Sequence, residues 1–84
     1  MKVIYLKDYS SSMGTLIDVR HPIDYDKDKI CDKSINIYYE KLLNNPSKYL
    51  NKNSKYYLMC KKGILSRRTV RMLEMIGYDV TLVR

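Results

Sequence analysis

A chain of 84 residues has room for one sheet and a few helices, but not for a second core. Its 16 Lys and Arg against 9 Asp and Glu give a net charge of +7, which attracts anions, yet the cations are scattered. They lack the stripe and aromatic platforms of a nucleic-acid binder, so nucleic acid is not the expected partner.

Val3 to Leu6 reads as a short strand, with too few apolar residues around it for a signal peptide or a membrane span. Lys7 to Gly14, with three consecutive serines, reads as a turn or a frayed helical stub. Thr15 to Val19 is a compact apolar run suited to a buried strand, closed by Arg20, His21 and Pro22. The charged stretch from Asp24 to Lys33 is expected to be mostly loop. Ser34 to Tyr38 follows as a strand with Ile35 and Ile37 on one face.

Glu40 to Leu50 contains Pro46 and should form two short helical pieces separated near Asn45. Lys55 to Met59 is nearly continuous in apolar residues, the pattern of a strand covered on both faces of a parallel sheet. Ser66 is expected to cap the next helix, with Val70, Leu73 and Ile76 inward and Arg67, Arg71 and Glu74 outward. Gly77 stops that helix, and Val80 to Val83 supplies a last strand. This alternation predicts an α/β fold, a small three-layer sandwich with a mainly parallel central sheet flanked by short helices.

Cys60 stands where such sheets bind ligands, beyond the carboxyl end of a strand. A thiolate is the reactive form of cysteine, and a helix N-terminus or nearby cations stabilise it. The six residues from Cys60 to Leu65 bend between strand and helix, so their amides can turn inward as a nest for an anion. Gly63 relieves the tight backbone there, and Lys61 and Lys62 add charge at the pocket mouth.

These segments resemble the rhodanese family of sulfurtransferases. The likeness is carried by Leu16, Ile17, Asp18, Val19 and Arg20 with Pro22 and Tyr25, by Ile35, Asn36 and Ile37, by Tyr56 to Ser66, and by Leu73, Gly77, Tyr78 and Val80. It implies that Cys60 takes the outer sulfur of a donor such as thiosulfate, holds it as a persulfide, and passes it to cyanide or a thiol. No cofactor or metal is called for. It also makes a sulfur-relay protein a candidate partner, and it gives Lys61, Lys62, Gly63, Ile64, Leu65, Ser66 and Arg20 as the anion cradle with Asp18 as structural support.

The resemblance makes residues 1–84 a single domain of the family without its C-terminal Gly-Gly turn and final helix, which would leave one sheet face partly bare. Between Tyr25 and Ser34 the usual Gly-His-Ile-x-Gly-Ala wording is replaced by Asp28, Lys29, Ile30, Cys31, Asp32 and Lys33. These departures open a second reading, a catalytically weak sulfur carrier or protein-interaction module.

Other chemistries fit less well. Cysteine phosphatases need arginine six positions after the nucleophile, to grip phosphate with its planar fork, and that position here is Ser66. His21, the one histidine, reads as a surface turn beside Pro22 rather than as the base of a cysteine hydrolase. Cys31 and Cys60 are too few and too far apart for a disulfide framework or a zinc site, and they fit a reducing cytoplasm. Cys31 reads as a buried thiol rather than a resolving cysteine. Asp18 is an acceptor for loop amides or a partner of Arg20, Arg20 orients an anionic donor or ties two loops together, and Tyr38 is a candidate for the pocket wall.

Overall fold

A computed structural model describes residues 1–84 as a five-stranded sheet in which every strand pairs in parallel. In chain order the elements are β1 (Lys2–Ile4), β2 (Thr15–Asp18), α1 (Pro22–Lys27), β3 (Ser34–Asn36), α2 (Tyr39–Asn44), α3 (Pro46–Tyr49), β4 (Lys55–Met59), α4 (Ile64–Met75) and β5 (Asp79–Val83). The strand order is β1-β5-β4-β2-β3. The chain runs from β2 outward to β3, returns past β2 to β4, and then moves outward the other way to β5. The connections therefore diverge between β2 and β4, and a crevice opens at their carboxyl ends.

Alternation along the strands divides the core in two. Ile17, Tyr56, Leu58, Val80 and Leu82 point to one face, where they meet Leu42, Val70 and Leu73 from the helices. Leu16, Tyr57, Met59 and Val83 point to the other face and meet Tyr9. Leu58 and Leu73 are both fully buried, and burying an aliphatic side chain of that size contributes about 1.5–3 kcal/mol.

The second face is not bare, contrary to expectation. Short 3-10 turns at Leu6–Asp8 and Ser11–Met13 lie on either side of Tyr9, whose ring packs 5.5 Å from that of Tyr57. The Tyr9 hydroxyl donates to the Gly14 carbonyl at 2.6 Å. A Cβ at Gly14 would lie 2.4 Å from the Lys55 carbonyl oxygen, so only glycine lets this segment approach β4 so closely.

Three further expectations need correction. The stretch from Asp24 to Lys33, expected to be mostly loop, is so only after Lys27; its first four residues belong to α1, because Pro22 takes the first helical position and the His21 side chain accepts the Ile23 amide at 3.1 Å. No residue of α1 is buried, so it carries no apolar stripe by which to recognise it. Ser66 does not cap α4. Gly63 occupies that position, and Ser66 lies fully buried inside the first turn. Ile76 is 48% exposed because α4 closes one residue earlier, with Tyr78 and Gly77 amides bonding back to Leu73 and Glu74 carbonyls. The break near Asn45 falls where Pro46 predicts it, between α2 and α3.

Candidate functional site

The carboxyl ends of β2 and β4 hold the candidate residues. The Val19 amide donates to the Met59 carbonyl at 3.0 Å and fixes the two strand ends against each other. The chain then departs as Arg20 on one side and as Cys60 on the other.

Asp18 is fully buried and Arg20 nearly so. Arg20 Nε and Nη2 donate to the two Asp18 carboxylate oxygens at 3.0 and 2.9 Å, a fork-to-fork pair. The Arg20 amide also donates to Asp18 Oδ1 at 3.1 Å, and Nη2 reaches the Asp28 carbonyl at 2.8 Å. Asp18 thus serves both roles read from the sequence, acceptor of a loop amide and partner of Arg20. Donation to the Asp18 carboxylate raises the Arg20 pKa above its ordinary value although burial opposes it, so the cation is permanent. Nη1 is the guanidinium nitrogen left free, and Arg20 lines a cavity of about 280 Å³ together with Cys60. Asn36, whose role the sequence did not disclose, donates to the carbonyls of Asp18 and Arg20 at 3.0 and 2.9 Å and holds this turn open.

Cys60 is half-buried, against the larger cluster. Its sulfur accepts the Ser66 amide at 3.3 Å, and its thiol donates to Ser66 Oγ at 3.2 Å. Ser66 Oγ in turn donates to the Gly63 carbonyl at 3.3 Å. A hydroxyl can rotate, so when Cys60 loses its proton the Ser66 hydroxyl can turn from the carbonyl to the sulfur. The thiolate would then have two donors from one residue. Ser66, expected both as a helix cap and as part of the anion cradle, lies beside the sulfur and does not cap the helix.

The amides of residues 61 to 65 make no hydrogen bond within the chain. Unpaired amides at a loop entering a helix are an anion site in waiting, since the helix dipole adds to them. Gly63 makes the bend with φ +79°, and a Cβ there would meet nothing within 4 Å. Its requirement for glycine is thus conformational and not one of space.

The two loop lysines differ. Lys61 Nζ lies 3.0 Å from Asp28 Oδ2 in an exposed pair, and this bond lowers the Asp28 carboxyl pKa. Lys62 has no such partner and lines all three cavities around the loop. Ile64 is 67% exposed at the rim, and Leu65 is half-buried behind it.

Tyr38 and His21 do not join the site. They pack edge to face, 5.1 Å between ring centroids, outside the cavities that contain Cys60. Desolvation raises the Tyr38 hydroxyl pKa. Cys31 lies against the smaller cluster, across the sheet from the cluster that Cys60 borders. No helix is long and apolar enough to cross a membrane.

Comparison with known proteins identifies the family and the fold. A family model of the rhodanese-like domain matches residues 4–84. A rhodanese-related protein from Thermoplasma volcanium is 28% identical with a TM-score of 0.85, over 100% of this chain and 84% of its own. A protein from Staphylococcus saprophyticus is 25% identical with a TM-score of 0.85, over 100% of this chain and 87% of its own. A rhodanese-like domain protein from Staphylococcus aureus is 26% identical with a TM-score of 0.75, over 96% and 82% of the two chains. No curated protein matches the chain significantly.

Proposed function

The chain belongs to the rhodanese-like domain family, and we propose on that footing that it is a thiosulfate-type sulfurtransferase with Cys60 as the nucleophile. The Cys60 thiolate attacks the outer sulfur of thiosulfate, the sulfur–sulfur bond breaks, and sulfite leaves with the electron pair. A persulfide remains on Cys60. Cyanide or a thiolate then attacks the outer sulfur, the bond to Cys60 Sγ breaks, and the pair returns to Sγ as thiolate.

The observation that carries this reading is the ring of unpaired amides at residues 61 to 65, beside a sulfur that already accepts the Ser66 amide. Both the thiolate and the persulfide are anions that such a cradle stabilises, and its donors need no reorganisation as the charge moves outward by one atom. Lys62 and the free Nη1 of Arg20 supply attraction for a dianionic donor. Asp18 acts at one remove by orienting Arg20.

Incubation with thiosulfate followed by intact mass measurement tests the reading. A gain of one sulfur atom that cyanide removes as thiocyanate is expected, and a protein that stays at its original mass contradicts the proposal.

A further inference from the structure

A larger cavity, about 480 Å³, adjoins the one that Arg20 lines, sharing Cys60, Lys61, Lys62, Ile64 and Arg68 with it and extending to Arg67, Leu82, Val83 and Arg84. Its floor is Leu82 and Val83, and its wall carries Lys62, Arg67, Arg68 and Arg84. No acidic residue lines it, and none of these four cations takes part in the chain's ion pairs, which are Lys2–Asp79, Asp18–Arg20 and Asp28–Lys61. Thiosulfate has five heavy atoms and fills only a few water volumes of about 30 Å³ each. The cavity is several times larger than the donor requires.

The placement of the arginines is costly to the fold. Arg67 closes the first turn of α4, where its amide makes the first i to i−4 bond to Gly63, and Arg68 follows it. Cations are unfavourable at the positive end of a helix, and α4 has no acidic residue in its first turn and no basic residue in its last. That is the reverse of the stabilising arrangement, and a bound polyanion would convert it to a favourable one.

We propose that this cavity binds the sulfur acceptor, and that the acceptor is a phosphate-bearing small-molecule thiol whose phosphates engage Arg67 and Arg68 while its sulfur reaches Cys60. The inference rests on the assignment of Cys60 as sulfur carrier. The acceptor thiolate attacks the outer sulfur of the Cys60 persulfide and forms a new sulfur–sulfur bond. The bond to Cys60 Sγ breaks with its electron pair on Sγ, and the acceptor leaves as its own persulfide. Arg67 and Arg84 line only the larger cavity and Arg20 does not line it, so acceptor and donor approach Cys60 from adjoining cavities that share Lys62 and Arg68.

Coenzyme A and pantetheine provide the test, because they share one thiol arm and differ in the phosphate-bearing nucleotide. Persulfidated protein should discharge to coenzyme A at least about tenfold faster than to pantetheine at equal low concentration. In the double variant Arg67→Gln, Arg68→Gln that ratio should fall toward one while the melting temperature rises by a few degrees. Equal rates for the two thiols, or a ratio untouched by the double variant, overturns the proposal. Titration of Cys60→Ser protein with coenzyme A by calorimetry reads the same site without sulfur transfer. Heat with coenzyme A that disappears in the arginine variants supports the site even if the persulfide never forms, and absence of heat overturns it. Failure of thiosulfate to load Cys60 would instead count against the catalytic reading alone.

Discussion

The two cysteines are the same chemical group in two surroundings. Cys60 ends a central strand, meets the Ser66 amide and hydroxyl, and borders cavities walled by cations. Cys31 sits in the turn before β3, packed beside the smaller cluster, and its carbonyl, not its sulfur, does the bonding. That carbonyl accepts the Ser34 amide and hydroxyl at 3.1 and 2.7 Å. What distinguishes them is the loop around the sulfur, not the thiol itself. The two sulfurs also border opposite faces of the sheet, which leaves a resolving disulfide without a direct path.

The largest effect is expected from exchanging the thiols one at a time. Cys60→Ser should abolish sulfur uptake, and Cys31→Ser should keep most of it, measured as mass gain after thiosulfate. Equal losses in the two variants would erase the contrast.

Asp18→Asn should come next, through stability. It leaves the nearly buried Arg20 cation without its carboxylate, a change worth about 3 kcal/mol, read as a lower urea midpoint. An unchanged midpoint would show that the pair does not brace the site.

Gly63→Ala should cost about 1–2 kcal/mol and slow sulfur uptake, because an L side chain is forced to φ +79° although space is open. Ser66→Ala should slow uptake about fivefold, since the amide donor remains and only the hydroxyl is lost. Alkylation of Cys31 should not change in either variant.

The smallest effect concerns pH. Lys61 lowers the Asp28 carboxyl pKa in the folded chain, so the unfolded chain binds this proton more readily. The pair's contribution is therefore complete above the ordinary carboxylate pKa and is lost as pH falls through the lower folded value. Both groups are exposed, so salt screens the pair and Asp28→Asn should leave the urea midpoint near neutral pH almost unchanged. A large drop would mean that Asp28 does more than hold Lys61.

How much of this could be read beforehand depended on the range of the signal. β4 was legible because alternate residues of Lys55–Met59 are apolar on both faces, and the loop after it was legible because cysteine, glycine and a helix follow in order. The split at Pro46 was equally local. What escaped was set by three-dimensional placement. Ser66 is legible as part of the cradle, but the contact of its hydroxyl with the Cys60 sulfur depends on how the loop bends, and the bracing by Asn36 depends on β3 pairing with β2. The convergence of Arg67, Arg68 and Arg84 joins the start of α4 to the end of β5, which no short sequence window spans. α1 was missed because a charged, unburied helix shows no periodicity, and its proline start was the one cue left.

The central claim is that Cys60, not Cys31, holds the transferred sulfur. Protein loaded with thiosulfate, alkylated to trap persulfides, digested and mapped by mass spectrometry tests it most directly. One extra sulfur is expected on the peptide containing Cys60 and none on the peptide containing Cys31. An extra sulfur on Cys31, or its equal division between the two peptides, would contradict it.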